Sequence, residues 1–173
     1  IDISGKLVRN NYFVNLEYEN SKFNYSGISL LNSRNHIDNF IEINHKNKYT
    51  FSSSNQKNIL RENSKSIFYS KSTIDKKSKY SEAQQKNKNM MLSKKAIVHS
   101  NPQLEIYNND VKCSHGSTTG ELDEEMLFYL RTRGLNLKQA KKMLLEGFLN
   151  EFIDSIGNNQ INENLKYKIN NWL

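Results

Sequence analysis

The stretch Pro102-Gln-Leu-Glu-Ile-Tyr-Asn-Asn-Asp-Val-Lys-Cys-Ser-His-Gly-Ser-Thr-Thr-Gly120 divides the chain. It holds the only proline and the only cysteine of 173 residues. Upstream of it the pattern is that of strands, and downstream it is that of helices. If residues 111–115 are extended, Cys113 and His115 share one face with Cα atoms ~6.6 Å apart, from a rise of ~3.3 Å per residue. A thiolate and an imidazole on one face suit iron, copper or zinc. Two donors do not complete a site, because a stable one takes three or four.

Working back from that stretch, residues 1–118 alternate short apolar patches with polar runs. Leu7-Val8, Phe13–Leu16, Ile28–Leu30, Phe40–Ile43, Tyr49–Phe51, Ile67–Tyr69, Ala96–Val98 and Leu104–Ile106 are expected to be strands. Ile41/Ile43, Tyr49/Phe51 and Leu104/Ile106 show the period of two of a strand with one buried face. Such short strands in a polar context fit a solenoid or a sandwich. A parallel β-helix suits them better, since it needs few inward residues per strand and tolerates Asn and Ser at its corners. Residues 75–95 are the most polar run and are expected to form an exposed turn or insertion.

After Gly120 the order becomes acid, then base, then glycine: Glu121, Asp123, Glu124 and Glu125, then Arg131 and Arg133, then Gly134. A helix dipole favours this order. Asp123 is the expected N-cap, Gly134 the expected C′ residue, and Met126, Leu127 and Leu130 the apolar face. A second helix is expected from near Asn136, with Gln139 closing a capping box. Ala140, Leu144, Phe148, Phe152 and Ile156 recur every four residues, flanked by Leu145, Leu149 and Ile153, and Gly157 ends the stripe. So wide a stripe in a small domain suits docking to another protein. Ile161, Leu165, Ile169 and Trp172 predict a third helix.

Composition narrows the function. One cysteine excludes an internal disulfide framework and fits a reducing compartment. No run approaches the ~18 apolar residues of a membrane span. The net charge of +7 is local: residues 55–95 carry 11 Lys/Arg against 3 Asp/Glu. With 20 Lys and 26 Asn it matches compositional drift on solvated positions, and no nucleic-acid-binding motif accompanies it. His36, His45 and His99 have no partner at ligand spacing and are expected at the surface or at corners. Cys113 lacks a cysteine-hydrolase signature, and Gly116 and Gly120 lack the Gly-Lys-Ser/Thr ending of a phosphate loop. No catalytic residue is assigned. The chain begins at Ile1 with strand pattern, so a preceding segment is expected.

Asp110-Val-Lys-Cys-Ser-His-Gly116 and Gly120-Glu-Leu-Asp-Glu-Glu-Met-Leu-Phe-Tyr-Leu-Arg-Thr-Arg-Gly134, with Asp2–Arg9, His36–Asn39 and Asn87–Ser93 upstream, resemble the C-terminal part of SufD-type chains of the SufB/SufD family. That family belongs to the SUF machinery of iron–sulfur cluster assembly. The resemblance runs from residue 1 to about Ile156. It implies a right-handed parallel β-helix over 1–118 and a helical domain over 119–173. It implies a non-enzymatic scaffold that pairs with the SufB paralogue and docks the SufC ATPase, in bacterial cytosol or plastid stroma, with no nucleic-acid or membrane partner. His115 maps to the family's interface histidine and Cys113 to its neighbouring cysteine. A transient iron–sulfur cluster would be shared with the partner, because one thiol cannot supply about four ligands. ATPase docking would fall on 121–156, with Leu127, Phe128, Tyr129, Arg131, Arg133, Gly134, Leu144 and Phe148. A SufB-like chain, or a β-solenoid interaction subunit without cluster chemistry, are the alternatives.

Overall fold

The computed structural model describes residues 1–3, 5–154 and 156–173. They fall into two compact units, Ile1–Gly120 and Glu121–Leu173.

The first unit is a parallel β-helix. Its strands are β1 (Leu7–Leu16), β2 (Lys22–Leu31), β3 (His36–His45), β4 (Phe51–Leu60), β5 (Lys65–Ile74), β6 (Glu82–Met91), β7 (Ile97–Ile106) and β8 (Lys112–Gly120). Odd strands form one sheet, β1-β3-β5-β7, and even strands the other, β2-β4-β6-β8. Each odd–even pair is one coil, and the coils stack in parallel register. Leu7 lies beside His36, His36 beside Lys65, and Lys65 beside Ile97. The repeat is therefore 29 to 32 residues.

Corners end the strands by turning the backbone left-handed. Asn20, Tyr49 and Tyr80 (φ 62°, 57° and 59°) form one corner ladder, and Ser33 and Glu62 belong to the other. In the first ladder each corner amide is held by the following coil: Asn20 N–H donates to Lys48 O at 3.3 Å, Tyr49 N–H to Lys79 O at 3.0 Å and Tyr80 N–H to Asp110 O at 2.6 Å. Tyr49 is thus a corner residue and not the strand residue its alternation with Phe51 predicts. Asn suits this backbone because its side chain bonds locally; Tyr does not. The stacking of Tyr49 on Tyr80, centroids 5.2 Å apart, offsets part of that cost.

Burial alternates along β3 and β5, so every second residue points into the lumen between the sheets. Apolar clusters occupy part of the interior. Leu16, Ile41, Ile43 and Phe68 form one, and Leu31, Ile37, Leu60 and Ala96 another. The rest is polar. Gln56 donates to Asn58 at 2.7 Å, Asn58 to Asn89 at 2.7 Å, and Asn10 to Asn39 at 2.8 Å. Parallel stacking places the same inward position of successive coils side by side, so amides such as Asn58 and Asn89 pair directly up a ladder. This is why residues 75–95 are not an exposed insertion. Only the corners on either side of β6 are irregular, and β6 is an interior strand of its sheet. Its inward Ala83, Gln85, Asn87 and Asn89 are all buried.

The second unit holds α1 (Glu124–Thr132), α2 (Leu137–Asp154) and α3 (Asn159–Trp172). Asp123 caps α1, accepting from the amides of Glu125 at 2.9 Å and Met126 at 3.0 Å. Gly134 follows the C-cap at φ +94°. Asn136 and Gln139 close a capping box on α2, at 2.9 and 3.0 Å. Ala140, Leu145, Leu149, Phe152 and Ile153 are buried on α2, and Leu165 and Ile169 on α3. Leu144 and Phe148 are only half-buried, so the packed stripe lies one residue round from the expected every-fourth series. Met126 is exposed and Leu127 is the buried residue of α1. No described helix is long and apolar enough to cross a membrane.

Candidate functional site

Cys113 and His115 lie on β8, the outermost strand of its sheet. Register sets Cys113 beside Ala83 and His115 beside Gln85. Ala83 and Gln85 point into the lumen, so both candidate ligands do as well. The coil they belong to is the last, and nothing in the β-helix stacks beyond it. Cys113 is half-buried and His115 exposed.

The imidazole is oriented from within the same coil. His115 Nδ1 stands 3.0 Å from the carbonyl oxygen of Pro102, on β7. A carbonyl only accepts, so Nδ1 carries a proton, and in the neutral ring Nε2 then presents its lone pair. Backbone carbonyls commonly fix metal-ligating histidines in this way. Pro102 itself stands on the outermost strand of the other sheet, where a missing N–H leaves no neighbour unbonded.

Cys113 is held differently. Burial pushes its pKa up, and a hydrogen bond with the Ala83 backbone only partly counters this. At neutral pH it is a thiol, which neither attacks nor ligates until its proton leaves. Among the described residues no three of His, Cys, Asp and Glu converge as a metal site.

The other histidines stand apart. His99 faces outward on β7, and His36 opens β3. His45 ends a strand at a corner, one of the two placements expected, and there it is fully buried. Its Nδ1 meets Thr50 Oγ1 at 2.8 Å and its Nε2 meets Ser52 Oγ at 2.8 Å. Sequence reasoning also missed Gln85. Its Nε2 crosses the lumen to donate to Ser72 Oγ at 2.8 Å and to Gln103 O at 3.0 Å. Only the lone proline, which marks an edge strand, pointed toward the His115 anchor.

The expected docking residues differ in access. Phe128 (69% exposed) and Tyr129 (51%) project from α1, and the Arg133 guanidinium lies 5.2 Å from the Tyr129 ring centroid. Arg131 is exposed, Leu144 and Phe148 are half-buried, and Gly134 forms the turn. Leu127 is 3% exposed, so it is the least accessible of the set.

Fold and site together define a class: a parallel β-helix whose open last coil presents one thiol and one oriented imidazole, followed by a capped helical unit. Comparison with known proteins gives that class a family. The model described as SUF system FeS cluster assembly, SufBD core domain, matches residues 1–148. The chain belongs to this SufB/SufD family. It is 30% identical over 154 residues to the iron–sulfur cluster assembly protein SufD of Escherichia coli, covering 89% of this chain and 36% of that protein. A SufBD family protein of Synechocystis is 34% identical over 160 residues, 90% of this chain and 34% of its own. The chloroplastic protein ABCI7 of Arabidopsis thaliana is 30% identical over 105 residues, 61% of this chain and 22% of its own. The chain spans about a third or less of the length of these relatives.

Proposed function

We propose that this chain is a non-catalytic scaffold subunit of an iron–sulfur cluster assembly complex, of the SufD type. It pairs with a SufB-like paralogue through the open last coil and docks a SufC-type ATPase through its helical unit, in bacterial cytosol or plastid stroma. The cluster is cargo built between chains, not a resident cofactor. One observation carries this. His115 is pre-oriented by the Pro102 carbonyl with Nε2 available, on an edge strand, beside a single thiol. A ligand fixed so, with too few companions for a cluster, suits completion by another polypeptide. Exposed Phe128, Tyr129, Arg131 and Arg133, with half-buried Leu144 and Phe148, suit a partner that buries aromatic rings beside basic charge.

The test is reconstitution with the paralogue and the ATPase. His115→Ala is expected to lower cluster formation at least tenfold while the complex still assembles. Unchanged formation refutes the cluster role. The raised Cys113 pKa favours a second reading for that residue, in which the thiol is structural and His115 alone contributes. Cys113→Ser with unchanged cluster yield supports that division.

A further inference from the structure

Five lumen residues share an unusual property. Asn39 on β3, Ser54 on β4, Ser66 and Ser70 on β5 and Gln85 on β6 are each at most 1% exposed. Each carries a polar atom with no hydrogen-bond partner: Asn39 Nδ2, Ser54 Oγ, Ser66 Oγ, Ser70 Oγ and Gln85 Oε1. Ser100 Oγ on β7 extends the set to the last coil. Buried polar atoms are almost always paired, so orphans drawn from both sheets need a common explanation.

Reach supplies one. Facing sheets lie about 10 Å apart. Gln85 is long enough to cross to Ser72. Serine is not, and Ser54 and Ser70 point at the gap without touching a partner. The inward side chains of β3 to β6 include no carboxylate and no ammonium. A charged guest would therefore be unbalanced, whereas a neutral molecule that both donates and accepts suits hydroxyls and amides alike. We propose that the lumen binds a file of water molecules, held by Asn39, Ser54, Ser66, Ser70, Gln85 and Ser100. Buried waters commonly make two to four such bonds.

The file ends at the functional mouth. Ser54, Gln85 and His115 are successive neighbours in one inward row. Resting on the proposed pairing, this means the imidazole keeps water on its lumen side after a partner covers the edge.

Magnetic relaxation dispersion of water oxygen-17 and deuterium, on the chain without any partner, counts waters with long residence. Several are expected, with fewer in Ser54→Ala/Ser70→Ala. Each hydroxyl lost is expected to lower the folding constant roughly fivefold, the net worth of a typical hydrogen bond. Absence of dispersion, or dispersion unchanged by the substitutions, overturns the proposal. So does a rise in stability, because deleting a dry orphan hydroxyl stabilises. Since no partner is present, failure here leaves the scaffold role untouched, and failed cluster formation leaves the water file untouched.

Discussion

Acidification from pH 7.5 to pH 5 is expected to remove about 2 kcal/mol of folding stability through His45 alone. The residue is fully buried, and burial lowers its pKa to about 4. Its hydrogen bonds agree with a neutral ring. Thr50 Oγ1 donates to Asn47 O, so it accepts from His45 Nδ1–H, and Nε2 then accepts from the Ser52 hydroxyl. In the unfolded chain the ring titrates near its ordinary value of about 6.5. Between those two values the unfolded state binds more protons. Stability is therefore fully present above about pH 6.5 and is lost as pH falls toward the folded value of about 4. Over the whole interval the loss reaches about 3 kcal/mol, at 1.36 kcal/mol per pKa unit. The assay is urea unfolding at both pH values for the wild type and His45→Gln. The substitution is expected to lower stability at pH 7.5 and to flatten the pH dependence by about 2 kcal/mol. An equal pH dependence in both proteins, or an imidazole titration near pH 6.5 in the native state, refutes the reasoning.

Three further outcomes follow from local geometry. At Gly27 a Cβ would collide with Gln56 Oε1 and come within 2.6 Å of Tyr25 Oη, so Gly27→Ala should disturb the Tyr25–Gln56 hydrogen bond and cost about 1–3 kcal/mol in urea unfolding. Asp123→Ala removes the acceptor of two α1 amides and should destabilise the helical unit by about 1 kcal/mol, read as amide exchange in α1. Cys113 should alkylate with iodoacetamide more slowly at pH 7 than an unstructured cysteine, its rate still climbing where the free thiol has levelled; a plateau below pH 8 contradicts the burial argument.

The helical unit was legible because capping is local chemistry. Asp123, the Asn136/Gln139 box and Gly134 each act within a few residues of themselves, and the structure places all of them as their spacing implies. The β-helix was legible only in class. Leu7-Val8 and Phe13–Leu16 are one strand, as are Ala96–Val98 and Leu104–Ile106 apart from the corner residue Ala96. Their polar middles hid the continuity. β6 escaped because its inward face is mostly amide, stabilised by residues about thirty positions away, such as Asn58 bonded to Asn89. The period is masked in the sequence because corner length varies, shifting the spacing from 29 to 32 residues. At the site the sequence gives donors but not their anchors. The group that aims His115 is a backbone carbonyl, and carbonyls have no residue signature.

Edge protection offers an independent reason to regard the last coil as a covered surface in the proposed complex. Open strands invite pairing unless blunted by charge, proline or bulges. β7 is blunted by Pro102. Past Lys112, β8 reads Cys-Ser-His-Gly-Ser-Thr-Thr-Gly, with no charge and no proline along an exposed strand. Its outer backbone groups are thus left able to pair. Cys113 and His115 point into the lumen, perpendicular to those groups, so strand addition at β8 would not consume them. Backbone pairing and ligand donation use different directions of one strand. In the proposed assembly the first provides attachment, and the second leaves the imidazole facing whatever donors the partner brings to the mouth of the coil.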